Sequence, residues 1–103
     1  IFEENDFAYV SETPGVSHKC GHDGHTVVLL RLAQYLNETR PLSGKVGLLF
    51  QPAEENGEGA FAVIKDMEQR AYQPDRIFAL HNIPGVALGK ILLKPGAFTA
   101  SVN

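Results

Sequence analysis

Gly44-Lys45-Val46-Gly47-Leu48-Leu49-Phe50-Gln51-Pro52-Ala53-Glu54-Glu55 is the stretch on which the fold class turns. Its centre, Val46 to Phe50, is short, nearly all apolar and bounded by Pro41 and Gly44 before it and Pro52 after it. Such a run is expected of a strand covered on both faces, as in a parallel sheet. Upstream, apolar residues from Gly24 to about Asn37 predict a helix largely buried in the domain, with Asp23 as its N-cap. Downstream, Ala60, Val63, Ile64 and Met67 recur at helical spacing and predict a second helix from Gly59 to Gln69, with these four on one face. Ile77-Phe78-Ala79-Leu80 reads as another buried strand stopped by Asn82 and Pro84, and Gly89 to Leu93 as a further one ending at Pro95-Gly96. The first twenty residues, with Glu3, Glu4, Asn5, Asp6 and Pro14-Gly15, read as a loop. Strands alternating with helices predict an α/β fold, a mostly parallel sheet flanked by helices, without internal repeat or linker.

A chain of 103 residues allows one modest domain, and 44% apolar against 20% charged residues is an ordinary globular balance. The formal charge of -3 is spread over both signs, which leaves no basic stripe for nucleic acid. No apolar run reaches the ~20 residues that cross a bilayer, and the N-terminus lacks a signal-peptide layout, so no membrane partner and a cytoplasmic location are expected. One cysteine, Cys20, forms no internal disulfide and is expected to be buried, reactive or metal-bound. The chain opens at Ile1 without methionine and closes at Asn103 within a strand-like pattern, so the expectation is a fragment with both ends cut.

In open α/β sheets ligands bind outside the carboxyl ends of the strands, and Glu54-Glu55 and His81-Asn82 each follow an expected strand. Directly before the first expected helix, His18-Lys19-Cys20-Gly21-His22-Asp23-Gly24-His25 packs three histidines, a cysteine and an aspartate into eight residues. Cys20 and His22 are separated by a glycine that leaves the backbone free to turn both side chains to one point, a plausible two-ligand bite. An arbitrary Cys-x-His is more often a small buried thiol beside a polar loop residue. Asp23 either caps the helix or orients His22, and His18 and His25 either face substrate, support the ligands or play a plain structural part. Glu54 and Glu55 in an extended segment point opposite ways, one toward a metal and the other toward water, unless they are simply a solvated acidic loop. A carboxylate beside a metal removes a proton from water and passes it to a leaving amine. His81 alone is as well explained by a core histidine at a strand end.

Cys20-Gly21-His22-Asp23-Gly24-His25-Thr26, Phe50-Gln51-Pro52-Ala53-Glu54-Glu55 and Leu80-His81-Asn82, in that order, resemble the M20 metallopeptidase family. The resemblance is to its amidohydrolase branch, which includes hippurate hydrolases, N-acyl-amino-acid amidohydrolases and plant auxin-conjugate hydrolases, and it covers the chain from Ser17 onward. It implies that Cys20, His22, Glu55 and His81 are ligands of a two-metal centre, with Glu54 as general base and acid. Asp23, His18, His25 and Asn82 then stand behind the ligands or toward substrate. Thiolate, imidazole and carboxylate together suit zinc, with manganese, cobalt or nickel as alternatives.

The same resemblance implies a partial zinc-exopeptidase-like catalytic domain over residues 1–97 and the start of a lid or dimerisation domain at 98–103. The family's Arg-Ala-Asp-x-Asp strand, inserted lid and further ligand histidine have no counterpart in these residues, so the isolated chain is expected not to turn over. For the parent it implies a small N-acyl or N-aroyl amino acid, or a small peptide, hydrolysed by a metal-activated water, and a homo-oligomer assembled through the inserted domain. Two other readings compete: a non-catalytic module holding a structural cation in a closed shell, and a thiol protein using Cys20 as nucleophile near His18 or His22.

Overall fold

The computed structural model describes residues 2–40 and 43–97. The segment 98–103, where a second domain was expected to begin, lies outside them. Among the described residues two helices form, α1 over His22–Thr39 and α2 over Glu58–Gln69.

Helix α1 runs two residues beyond its expected span at each end. Its N-cap is Gly21, in a left-handed conformation and without a side-chain cap, rather than Asp23, which falls inside the first turn. A side chain already on the helix cannot reach back to cap the N–H groups of its own turn as an N-cap residue does. At the other end Arg40, also left-handed, donates its N–H to Leu36 O at 2.9 Å, and Pro41 follows in sequence. Proline disfavours the helical conformation in the residue before it.

The expected burial of α1 does not occur: none of its residues is buried. Its better-covered positions are His22, His25, Leu29, Ala33 and Leu36, one stripe at helical spacing whose first two members are site histidines. On α2, Val63 and Met67 are half-buried while Ala60 and Ile64 are exposed. Gly59 is the one buried position of α2. Its N–H donates to Ala53 O at 3.1 Å, and a Cβ there would stand 2.9 Å from the Pro52 carbonyl carbon and deep inside the carbonyl oxygen. The start of α2 therefore rests directly on the backbone that leads to Glu54.

The predicted parallel sheet is overturned. Among the described residues no strand forms, and no main-chain hydrogen bond joins 46–50, 77–80 and 89–93 to one another. These segments are instead open to solvent, with Phe78 86% and Leu93 91% exposed. An apolar run records which side chains gain by leaving water. A strand also needs a lateral partner for its N–H and C=O groups, and bringing distant segments side by side costs loop-closure entropy before any ladder bond repays it.

No hydrophobic side chain is fully buried among the described residues. The radius of gyration is 16.7 Å, against about 13 Å for a compact domain of this length. Local turns, two helices and a few tertiary contacts thus position the site, without a consolidated core. No described helix is long and apolar enough to cross a membrane.

Candidate metal centre

Three segments remote in sequence meet at the start of α1. Cys20 and His22 flank Gly21, whose φ of 81° is a backbone conformation that glycine adopts without strain. Space is as restrictive as conformation here, since a Cβ on Gly21 would lie 3.0 Å from Asn82 Oδ1. The Asn82 side chain packs against the turn that carries Cys20 and His22, in space that a Cβ would crowd.

The second segment is Ala53 to Gly57. Ala53 has φ 49°, Gly57 N–H donates to Glu54 O at 3.0 Å, and residues 54–57 form a turn rather than an extended strand end. The expectation that Glu54 and Glu55 point opposite ways is corrected accordingly, because the alternation of side chains holds for extended backbone and lapses in a turn. Both carboxylates face His22, whose Nε2 is 3.5 Å from Glu54 Oε2 and 3.8 Å from Glu55 Oε1.

The third segment contributes His81, whose Nε2 lies 3.4 Å from Cys20 Sγ. Its other ring nitrogen, Nδ1, is 2.7 Å from Asn82 O. A carbonyl only accepts, so Nδ1 carries the ring proton and Nε2 turns a lone pair toward Cys20. The rings of His22, His25 and His81 stand together, with centroids 5.5 Å apart for His22–His25, 5.9 Å for His22–His81 and 4.6 Å for His25–His81.

The structure thus brings Cys20, His22, Glu54, Glu55 and His81 to one place, with His25 and Asn82 beside them. His18 and Asp23 are outside both ligand groups, exposed, with His18 Nδ1 4.0 Å from Asp23 Oδ1.

Donor atoms of Cys20, His22 and His81 lie within 4.8 Å of one another, and so do those of His22, Glu54 and Glu55. Zinc bond lengths in a tetrahedral shell imply ligand separations of about 3.4–3.6 Å. The S–N distance of 3.4 Å and the N–O distance of 3.5 Å fall in this range, and the other N–O distance, 3.8 Å, lies a little above it. The residues therefore fit a divalent cation, and the sharing of His22 makes the two positions neighbours.

Partial desolvation first, then a hydrogen bond to Glu55 and the negative charges of Glu55 and Glu54, push the Cys20 thiol above its ordinary pKa. Two carboxylates beside a thiol favour its protonated form, and a cation between them reverses that preference.

A cleft of about 430 Å³ is lined by Gly15 to His22 and by Glu55. A second, of about 420 Å³, shares Val16 to Lys19 with it and is walled by Phe7 and Tyr9, whose rings stack at 4.2 Å. The N-terminal loop is ordered around Glu3, which accepts from Asn5 Nδ2 and from Ser11 N, both at 2.6 Å. These two bonds, the Asn5 one larger, hold the Glu3 carboxyl below its ordinary pKa. Sequence reasoning passed over Phe7 and Tyr9, which carry no motif. The partnership of His25 with Asn82 was also missed, although His22 and His25 are three apart and share a helix face.

A family model described as peptidase family M20/M25/M40 matches residues 2–102. The chain is 44% identical over 104 residues to an N-acetyl-L-cysteine deacetylase of Bacillus subtilis, an alignment that covers 100% of this chain and 24% of the relative. It is 42% identical over 99 residues to a hippurate hydrolase of Campylobacter jejuni, covering 96% of this chain and 26% of the relative. An N-acetyldiaminopimelate deacetylase of Shouchella clausii is 37% identical over 103 residues, covering 100% and 27%. The chain thus spans about a quarter of the length of these curated relatives. No solved structure matches it.

Proposed function

Because the chain belongs to peptidase family M20/M25/M40, we propose that it carries part of the metal centre of an amidohydrolase that cleaves the amide of a small N-acyl amino acid or peptide. The observation that carries this reading is the convergence of the Glu54-Glu55 turn on the point where Cys20, His22 and His81 meet.

In this reading Cys20, His22, Glu55 and His81 hold a divalent cation, zinc, manganese, cobalt or nickel, with two ions in the complete centre. When bound, the metal supplies Lewis acidity that polarises the amide carbonyl and eases deprotonation of water. Glu54 takes the proton as water oxygen adds to the carbonyl carbon. It then delivers that proton to the amide nitrogen as the C–N bond breaks, releasing a carboxylic acid and a free amine. Both carboxylates lie within 4 Å of His22 Nε2, so the division of labour between Glu54 and Glu55 follows the family resemblance. The paired clefts of about 420 and 430 Å³ suit a small substrate, within the roughly 300–1,000 Å³ usual for ligand pockets.

The test is Glu54→Gln in the full-length polypeptide, read by elemental analysis and by amino-acid release from a panel of N-acyl amino acids. Metal should stay and turnover should vanish. Retained turnover moves the base elsewhere, and a wild type without bound metal removes the reading altogether.

A further inference from the structure

The chemistry proposed above leaves His25 and Asn82 without a task. We infer that His25 is a positioning residue that clamps Asn82, and through it fixes the orientation in which His81 meets Cys20 and His22; this rests on the metal-centre reading.

Three observations carry it. Asn82 N stands 3.1 Å from His25 Nε2, and Asn82 Oδ1 stands 2.8 Å from the same nitrogen. That nitrogen carries either one hydrogen or one lone pair, so it donates to Asn82 Oδ1 or accepts from the Asn82 N–H, and either bond ties it to Asn82. His25 thereby holds Asn82, by its side chain in one tautomer and by its main chain in the other. Second, the carbonyl of that gripped residue accepts from His81 Nδ1 at 2.7 Å. Third, the Asn82 side chain fills the space over Gly21, between the two ligands Cys20 and His22.

The consequence is a relay from helix to ligand. His25 is fixed by α1 and lies on the same face as His22. Asn82 is fixed by His25, and Asn82 O sets both the tautomer and the ring direction of His81. His81 sits in an exposed segment that pairs with no strand among the described residues, so without this grip its ring would sample many rotamers before meeting the metal. Partners that orient a metal-ligating histidine are worth roughly 10–100-fold in metal affinity when removed.

The experiment is Co²⁺ titration of the full-length polypeptide, followed by the thiolate-to-metal charge-transfer absorption of Cys20. His25→Ala should weaken Co²⁺ binding roughly 10–100-fold while leaving helix content intact, since alanine favours the helix. His25→Gln, whose amide reaches the same Asn82 groups, should recover most of the loss. On a His81→Ala background, His25→Ala should have no further effect, because the ligand it positions is gone. Unchanged affinity in His25→Ala overturns the inference, as does an equal loss on both backgrounds, which would make His25 mere scaffold. A wild type that gives no cobalt–thiolate band overturns the ligand assignment and the inference together.

Discussion

Gly59→Ala separates the geometry of the carboxylate turn from the helix that follows it. By intrinsic propensity alone the change should help α2, by at most about 1 kcal/mol. The position forbids it: the added Cβ would stand 2.9 Å from the Pro52 carbonyl carbon and well inside the oxygen. Since the obstacle is backbone, the helix start and the Pro52–Ala53 turn must part by over about 1 Å, and overpacking of this kind costs typically about 1–3 kcal/mol. The steric term therefore wins. Glu54 and Glu55 follow that turn directly and now stand 3.5 and 3.8 Å from His22 Nε2. An N and an O on one zinc can be no further apart than about 4.2 Å. A displacement of this size takes Glu55, the ligand of the pair, past that limit, while Cys20, His22 and His81 are untouched. The assay is metal stoichiometry of the dialysed full-length protein, with the cobalt–thiolate band as internal control. The expected result is loss of the ion that Glu55 helps to hold and retention of the band. Unchanged stoichiometry with normal helicity would refute the claim that the contact of α2 with Pro52 sets the position of Glu54 and Glu55.

Two more outcomes follow from the same geometry. Gly21→Ala places a side chain where φ is 81° and where Asn82 lies 3.0 Å away. It should cost about 1–3 kcal/mol of local strain and weaken Co²⁺ binding, read by the same band; normal binding would show that the turn tolerates a Cβ. Cys20, raised above its ordinary pKa by desolvation and by Glu55 and Glu54, should alkylate more slowly than free cysteine at neutral pH in metal-free protein. Its rate should rise as pH climbs through the elevated pKa, and Zn²⁺ should suppress it further. A thiol faster than free cysteine would revive the nucleophile reading.

The sequence was most legible where the physics is local. Both helices were foreseen within about two residues of their ends, because apolar spacing acts over one or two turns. The five residues that converge were all singled out from motif and ligand chemistry. What failed was non-local or depended on a turn. Val46 to Phe50 and Ile77 to Leu80 carry the composition of buried strands, yet composition names no partner for their backbone, and none is formed among the described residues. The opposed directions given to Glu54 and Glu55 assumed extended backbone, and Ala53 at φ 49° with a turn after it made that assumption void. Asp23 looked like a cap only because the helix was thought to start later than it does.

One consequence joins these points. With no fully buried hydrophobic side chain among the described residues, the ligand atoms are not held by a packed core, where neighbours would fix each rotamer. They are held by backbone devices: a left-handed glycine before α1, a tight turn before α2, the contact of Gly59 with Pro52, and the grip of His25 on Asn82. Each is short in sequence or consists of one contact, and each is individually worth only about 1–3 kcal/mol. A site supported in this way gains much of its rigidity when a cation ties the three segments together, because the binding energy then also orders the turns. Removal of metal should accordingly loosen 53–57 and 77–82 more than α1, whose 18 residues keep their own hydrogen bonds. Amide hydrogen exchange on metal-loaded and chelated full-length protein reads this directly. Uniform protection across all three segments in both states would mean that something other than the metal orders the centre.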